Sequence, residues 1–520
     1  MSTNLSRLNR FFLFSLLFIS SGGIFSDTPH LIWHDCSKNM NGSSCSYTHI
    51  AVPKNYKKPN AGTFALKVLK VPAANESSKV GTLFINFGMP WESQEDTFYQ
   101  FPHFNHKLFS ALHDHFDLVT FTVRGSNLDF SCQTYAAQKL RSKMLKLNLS
   151  DPKQLKTYMR LQRQLFTVCK PYRDKTLRYL ATKNSVKDLD MVRQALGIAK
   201  INYYGDSYGT VLGQQYIMNY HDKVRAMVLD GNINPDYDMH AWILHAAASN
   251  EDTLQQFFNL CTEAGSKCAL YPRPQKRFAA TIELLDKGHV SGRGKLANQK
   301  LTRGMFNNLL EDLIPFPTMP VSLQGCNLNS WQYLAQGLND IYTKKDASLL
   351  LNLFNQMKGY HPDTGLVDSQ DDWLSTAVFA LDFNNQPNYK QLLDDAHKIN
   401  ELYPFGGVVA TQFEVSSFGW QMPANALTRI SKTAQFPAVL IVGNLHDPTT
   451  SYVDSEELAQ RLKNSRLLTW KGVGHTAIYN TQSDCMINCE LDYLLYLKLP
   501  AKDTSCPYTF NPFVEKIDKQ

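Results

Sequence analysis

The chain has 520 residues, 43% of them hydrophobic and 12% aromatic, enough to bury a sizeable core in one large enzyme domain with an insertion or in several ordinary domains. Its formal charge of +7 is spread along the sequence with no long basic block, which argues against a nucleic-acid partner. No C-x-x-C or H-E-x-x-H spacing occurs, so the ten cysteines point to disulfides in an exported protein and away from a metal centre, and no cofactor is implied.

Residues 1–26 read as an export signal: Arg7 and Arg10 precede an apolar run, 11–19, followed by Ser20, Ser21, Gly22 and Gly23. The run is too short for a spanning helix, which needs about 20 residues. No other stretch is long enough, so no stable membrane span is expected after signal removal, and the expected location is secreted or periplasmic. Asn41, Asn75 and Asn148 stand in N-x-S/T sequons. Cys36 with Cys45, and Cys261 with Cys268, are close enough to form local loops.

Two β-like runs, 47–52 and 63–71, come next; the second alternates Phe64, Leu66 and Val68 on one face, as the antiparallel edge of a sheet does. Residues 80–87 (VGTLFINF) read as a buried strand leading into Gly88-Met89-Pro90-Trp91, and 116–123 (FDLVTFTV) as the next strand, ending at Arg124-Gly125. An Arg-Gly there reads as a buried structural pair, with a substrate carboxylate clamp as the alternative. Residues 131–183 are polar and helical in pattern, and their basic part, 153–178, reads as a mixed solvated face. Ser185-x-x-Asp188 resembles a capping box opening a helix with Val186, Leu189, Val192 and Leu196 on one face and Gly197 at its end.

The next stretch organises the chain. Residues 201–209 (INYYGDSYG) read as a strand that breaks into G-x-S-x-G and then a helix, 210–220, with a further strand at 224–229 ending at Asp230-Gly231. A serine at such a turn is held in strained backbone with its hydroxyl presented at the tip, and the flanking glycines let strand and helix approach. Ser207 is therefore the candidate nucleophile. Helical patterning then dominates from 236 to about 430, which reads as a lid inserted into the sheet domain. Sheet-like sequence resumes at 437–443 (PAVLIVG), running into His446-Asp447-Pro448, and at 466–470, running into Gly472-Val473-Gly474-His475.

A serine hydroxyl needs a histidine to take its proton and a carboxylate to orient that histidine. Asp447 and His475 each come after a late strand, and the order Ser207, Asp447, His475 is the order of an α/β-hydrolase. The expected fold class is thus α/β, a mostly parallel central sheet with a large helical lid before the strand carrying the acid. The expected division is 27–235 for the first part of the core, 236–430 for the lid and 431–520 for the second part. The oxyanion donors expected from this fold are the backbone amides of Tyr208 and Met89. His446, beside Asp447, reads as a residue that supports the acid or is merely adjacent to it.

At these residues the chain resembles the secreted tripeptidyl aminopeptidase and prolyl-aminopeptidase-like serine peptidases. The resemblance runs over nearly all of the mature chain: W-x-x-C at 33–36, the RG at Arg124, DLDMVRQALGIAKINYYGDSYGTVLGQQYIMNYHDKVRAMVLDG at 188–231, LIVGNLHDP before the acid's turn, GVGH, and the closing segment to Cys506. It implies triad roles for Ser207, Asp447 and His475, peptide substrates with an unblocked N-terminus, and bridges Cys132–Cys169 and Cys485–Cys506. Cys326 and Cys489 are left as possible partners. Two family cysteines are absent together, at Ala380 and Ser417. The family's G-G-P-G loop here reads Gly88-Met89-Pro90-Trp91, a change that bears on rate and specificity more than on reaction class. An exopeptidase needs a carboxylate for the substrate ammonium, for which Asp382, Asp206 and Glu92 are the candidates. The alternatives are a carboxylester hydrolase with the same triad and a silent hydrolase-fold binding protein.

Overall fold

Short apolar runs rich in aromatic and β-branched residues assemble into one sheet of ten strands, here seen in a computed structural model. It describes residues 31–514 apart from 41–42, 89–93, 127–131, 173–174, 238, 322, 324–326, 369–372, 384–388, 417–426, 431–435 and 481–482. The expected signal, Met89, Glu92, Cys326 and Ser417 therefore lie outside the described residues.

The strands are β1 (His34–Asp35), β2 (Ser46–Pro53), β3 (Thr63–Val71), β4 (Gly81–Asn86), β5 (Phe116–Phe121), β6 (Ile201–Asp206) and β7 (Val224–Asp230). A two-stranded hairpin, β8 (Tyr360–His361) and β9 (Leu366–Val367), lies apart, and β10 (Leu440–His446), β11 (Arg466–Val473) and β12 (Ser505–Cys506) complete the large sheet. Its order is β1-β2-β3-β5-β4-β6-β7-β10-β11-β12. The first three strands join antiparallel, and every pairing from β5 to β12 is parallel.

Register then decides where chemistry can sit. Asn86 pairs with Gly205, Asp206 with Asp230, Asp230 with Val442, and His446 with Val473. The carboxyl ends of β4, β6 and β7 are thus level, β10 and β11 run on together about four residues further, and the loops leaving these strands emerge on one side of the sheet.

Successive side chains on these strands alternate between two cores, as the pleat requires. Tyr203, Met227, Leu229 and Ile441 face a core shared with the helices Thr182–Ala195 and Tyr208–Tyr220. Tyr204, Val228, Leu440 and Val442 face one shared with the helices Gln94–Phe104, His106–His113 and Asp484–Tyr496. Burying each such side chain fully contributes about 1.5–3 kcal/mol.

Between β7 and β10 the chain forms eight described α-helices, from Met239–Glu263 to Gly407–Ser416. They hold a core of their own, with Phe257, Phe258, Phe278, Phe306, Trp331 and Phe354 buried together. The helix Pro152–Val168 joins this layer: Leu155 and Met159 pack with Leu392, Ala396, Val408 and Val415. Disulfides link Cys36–Cys45, Cys132–Cys169, Cys261–Cys268 and Cys485–Cys506, while Cys489 has no disulfide partner among the described residues.

One local expectation is corrected. The helix expected to start at Ser185 runs Thr182–Ala195, so Ser185 and Asp188 are interior and no capping box forms. Asp188 is drawn to a stronger partner: its carboxylate accepts from Arg124 Nε at 2.7 Å and from the Tyr56 hydroxyl at 2.6 Å. Arg124 and Asp188 are both 1% exposed, and the guanidinium also donates to the Lys54 and Tyr179 carbonyls. Arg124 is thus a buried structural residue and not a substrate clamp.

Candidate active site

Glycine spacing makes the elbow. A Cβ at Gly205 would stand 2.5 Å from the Gly209 carbonyl oxygen, and one at Gly209 would stand 2.6 Å from Asn86 Oδ1, so neither position admits a side chain. Between them Ser207 adopts φ 52° and ψ −120°, a conformation that non-glycine residues enter only where surrounding structure enforces it. Its N–H donates to the Asp230 carbonyl at 2.9 Å, sewing the turn to the end of β7. Tyr208 opens the next helix, so its amide belongs to the first turn, whose N–H groups have no partner within the helix. Gly88, just beyond β4, lies against the serine: a Cβ there would be 3.0 Å from Ser207 Cβ.

Asp447 lies just beyond β10 and is held from several sides. One oxygen accepts the N–H groups of Thr449 and Thr450, each at 2.9 Å; the other accepts the Thr450 hydroxyl at 2.9 Å and the Thr476 N–H at 3.0 Å. His475, at the exit of β11, places Nδ1 at 3.0 and 3.2 Å from the two oxygens. An ionised carboxylate only accepts, so Nδ1 carries the proton and Nε2 is left as the basic nitrogen. Two bonds lock the loops together, backbone Gly474 N–H to the His446 carbonyl at 3.1 Å and the Asn444 side-chain amide to the Gly474 carbonyl at 3.0 Å.

Burial alone would depress the His475 imidazolium. The Asp447 charge and hydrogen bond, reinforced by Asp206 and Asp230, outweigh it and push His475 up to about 9. The insertion supplies a wall: His475 N–H donates to the Pro315 carbonyl at 2.7 Å, and the Phe316 ring packs edge-on against His475 and Tyr479. Ser207 and His475 are consequently only 3% and 6% exposed, where the sequence predicts an elbow with an open tip.

The acids considered for a substrate ammonium are placed differently. Asp206 is fully buried beneath the elbow, with Oδ2 3.5 Å from where a Gly88 Cβ would be. Asp382, from the helix Trp373–Asp382, accepts the N–H of Thr182 at 3.0 Å, and the hydroxyls of Thr182 and Tyr208 also bond to it. It caps the helix Thr182–Ala195 across the interface, which has no side-chain cap of its own, and burial pushes its carboxyl up to about 7. Its bonds within the protein go to Thr182 and Tyr208. His446 pairs with Asp252 at 2.7 Å.

Sequence reasoning missed Thr450 and Thr476, which hold the acid, and Phe316, which walls the histidine. Thr450 stands just after an Asp-Pro turn, a visible signal for a side chain bonding back to the acid, whereas nothing near Phe316 marked it. Among the described residues no group of His, Cys, Asp and Glu is arranged to hold a metal ion, and no helix is long and apolar enough to cross a membrane.

The arrangement is that of acyl transfer: a serine on an enforced turn, an imidazole oriented by a buried carboxylate, and amides at a helix start for a developing oxyanion. The family described as TAP-like protein matches residues 403–506, which contain Asp447 and His475. Serine protease Hip1 of Mycobacterium tuberculosis is 26% identical over 470 residues, covering 88% of this chain and 86% of that protein. Carboxylesterase B of the same organism is 27% identical over 508 residues, covering 92% and 90%. Tripeptidyl aminopeptidase of Streptomyces lividans is 25% identical over 495 residues, covering 91% and 86%. Of solved structures, a serine hydrolase from Cycloclasticus zankles aligns with 9% identity and a TM-score of 0.34, over 86% of this chain and 97% of that one. The chain thus carries a TAP-like segment at 403–506 and is similar over most of its length to serine protease Hip1 and to tripeptidyl aminopeptidase, on a mostly parallel sheet of the α/β-hydrolase kind.

Proposed function

We propose that the protein is an extracytoplasmic serine exopeptidase, of aminopeptidase or tripeptidyl aminopeptidase type, that hydrolyses peptide bonds near free N-termini through an acyl-enzyme on Ser207. The observation that carries the reading is the Asp447–His475 bond at 3.0 Å, on the same side of the sheet as a serine held at φ 52°. His475 Nε2 takes the proton of the Ser207 hydroxyl as its oxygen attacks the scissile carbonyl, then returns it to the departing amine. The Tyr208 and Met89 amides receive the oxyanion, and a water deprotonated by the same imidazole releases the acyl group. The peptidase relatives favour peptides as substrates, and four disulfides favour an oxidising compartment.

The test is a matched pair of fluorogenic substrates. Tripeptidyl amidomethylcoumarin with a free amine is cleaved, its N-acetyl counterpart is not, and a fluorophosphonate labels the enzyme but not Ser207→Ala. Equal cleavage of both peptides refutes the exopeptidase reading. The carboxylesterase relative favours one second reading, ester hydrolysis by the same triad, which predicts turnover of short acyl esters with neither peptide cleaved.

A further inference from the structure

Asp230 ends β7 between the two loops that carry Ser207 and His475, and it bonds to both. Its carbonyl oxygen accepts the Ser207 N–H at 2.9 Å. Its carboxylate accepts the N–H of Ala477 at 3.0 and 2.9 Å and that of Ile478 at 2.9 Å, immediately beyond His475 and Thr476. The neighbouring Gly231, at φ 65°, lets the loops close: a Cβ there would be 2.4 Å from Thr476 Cγ2 and 2.8 Å from the Thr450 hydroxyl. Gly231 N–H in turn donates to the Val442 carbonyl at 3.2 Å, tying β7 to the strand that leads to Asp447.

Behind Asp230 lies a second acid. The Tyr204 hydroxyl stands 3.3 Å from Asp230 Oδ2 and 3.3 Å from Glu490 Oε1, and all three groups are buried. A hydroxyl has one proton to give, so it serves one acid while the other must carry its own. Burial pushes Asp230 up to about 6, but the two backbone N–H groups it accepts hold it ionised at neutral pH, whereas among the described residues Glu490 has no such backbone donors and burial drives it far towards the neutral form. The proton order that satisfies every group runs from Glu490 O–H to the Tyr204 oxygen, and from Tyr204 O–H to the Asp230 carboxylate.

We propose that Asp230, buttressed by Tyr204 and neutral Glu490, is a positioning residue that fixes the nucleophile turn and the histidine loop in one frame. The proposal rests on the triad reading of Ser207, Asp447 and His475. Asp230 reaches no reacting atom; it acts through backbone bonds to Ser207, Ala477 and Ile478. The charged and titratable groups around it are Tyr204 on β6, Glu490 on the helix Asp484–Tyr496, Asp447 beyond β10 and His475 beyond β11, with Asp206 adding its field at His475.

The experiment compares Asp230→Asn, Tyr204→Phe and Glu490→Gln in the full-length enzyme. Asp230→Asn replaces one acceptor oxygen by an amide donor that opposes at least the Ala477 N–H, and removes the charge; kcat is expected to fall roughly 10- to 100-fold with KM within about twofold, as for a reacting group displaced by about 1 Å. The acid limb of kcat/KM is expected to move to lower pH, because a negative charge has left the surroundings of His475. Glu490→Gln keeps a neutral donor to Tyr204 and is expected to retain wild-type kcat. If Asp230→Asn does not fold, Tyr204→Phe carries the test through a lower kcat at unchanged KM. A folded Asp230→Asn enzyme with wild-type kcat and pH profile overturns the proposal, as does wild-type kcat in Tyr204→Phe. Fluorophosphonate labelling of the wild type separates the two readings: without labelling the triad assignment fails, whereas with labelling only the role of Asp230 is at stake.

Discussion

Replacing Asp447 by Asn should make the stability difference from wild type depend on pH in a specified direction. In the folded enzyme His475 is pushed up to about 9 against an ordinary 6.5, with Asp447 as the largest raising influence. That difference corresponds to about 3 kcal/mol of folding free energy. Because the folded value lies above the unfolded one, the contribution is complete below about pH 6.5 and is lost as pH rises through about 9. In Asp447→Asn the charge is gone and burial remains, so the imidazolium is no longer favoured. The variant also loses hydrogen bonds at Thr476 and Thr450, but that cost is the same at every pH. Urea unfolding of both proteins between about pH 6 and pH 10 should give a gap wider by about 3 kcal/mol at the acid end. A gap constant to within about 1 kcal/mol would refute the electrostatic account of the pair. Activity shares the cause: only neutral imidazole accepts the serine proton, so wild-type kcat/KM should climb with pH towards about 9.

Two further outcomes are expected. Asp188→Ala strips the buried Arg124 guanidinium of its counter-charge and should cost about 3–5 kcal/mol in urea unfolding, where removal of an exposed pair such as Lys390 and Asp394 should cost under about 1 kcal/mol. Opening the Cys132–Cys169 bridge, which spans 37 residues, with a double Cys→Ser variant should cost about 4 kcal/mol, read as a lowered urea midpoint.

The elbow is legible in the sequence because its determinants lie within five residues: two glycines that admit no Cβ and a serine forced to φ 52° between them. The same holds for β6 and β7, whose apolar runs match their span, and for the order of acid and histidine, which strand succession dictates; β10 starts three residues after its apolar run does and continues to His446. The features that escape a sequence reading are set by partners far along the chain. Ser185-x-x-Asp188 has the form of a capping box, but the Arg124 guanidinium, 64 residues upstream, takes the aspartate first. Asp382 reads as an acid for a substrate, yet its partner is a helix start 200 residues earlier. Asp230 reads as the end of a strand and nothing more, since the amides it holds are 247 and 248 residues away. A carboxylate in a sequence window shows its charge but not which distant N–H group will reach it.

The trans cap at Thr182 also limits how this enzyme can be rebuilt. A chimera that exchanged the segment containing the helix Trp373–Asp382 for another hydrolase's cover would strand the Thr182 amide and the Tyr208 phenol without their acceptor, directly behind the nucleophile. Lid swapping in this scaffold therefore requires grafting an acid at the Asp382 position along with the new cover, or the transplanted specificity arrives on a loosened catalytic turn.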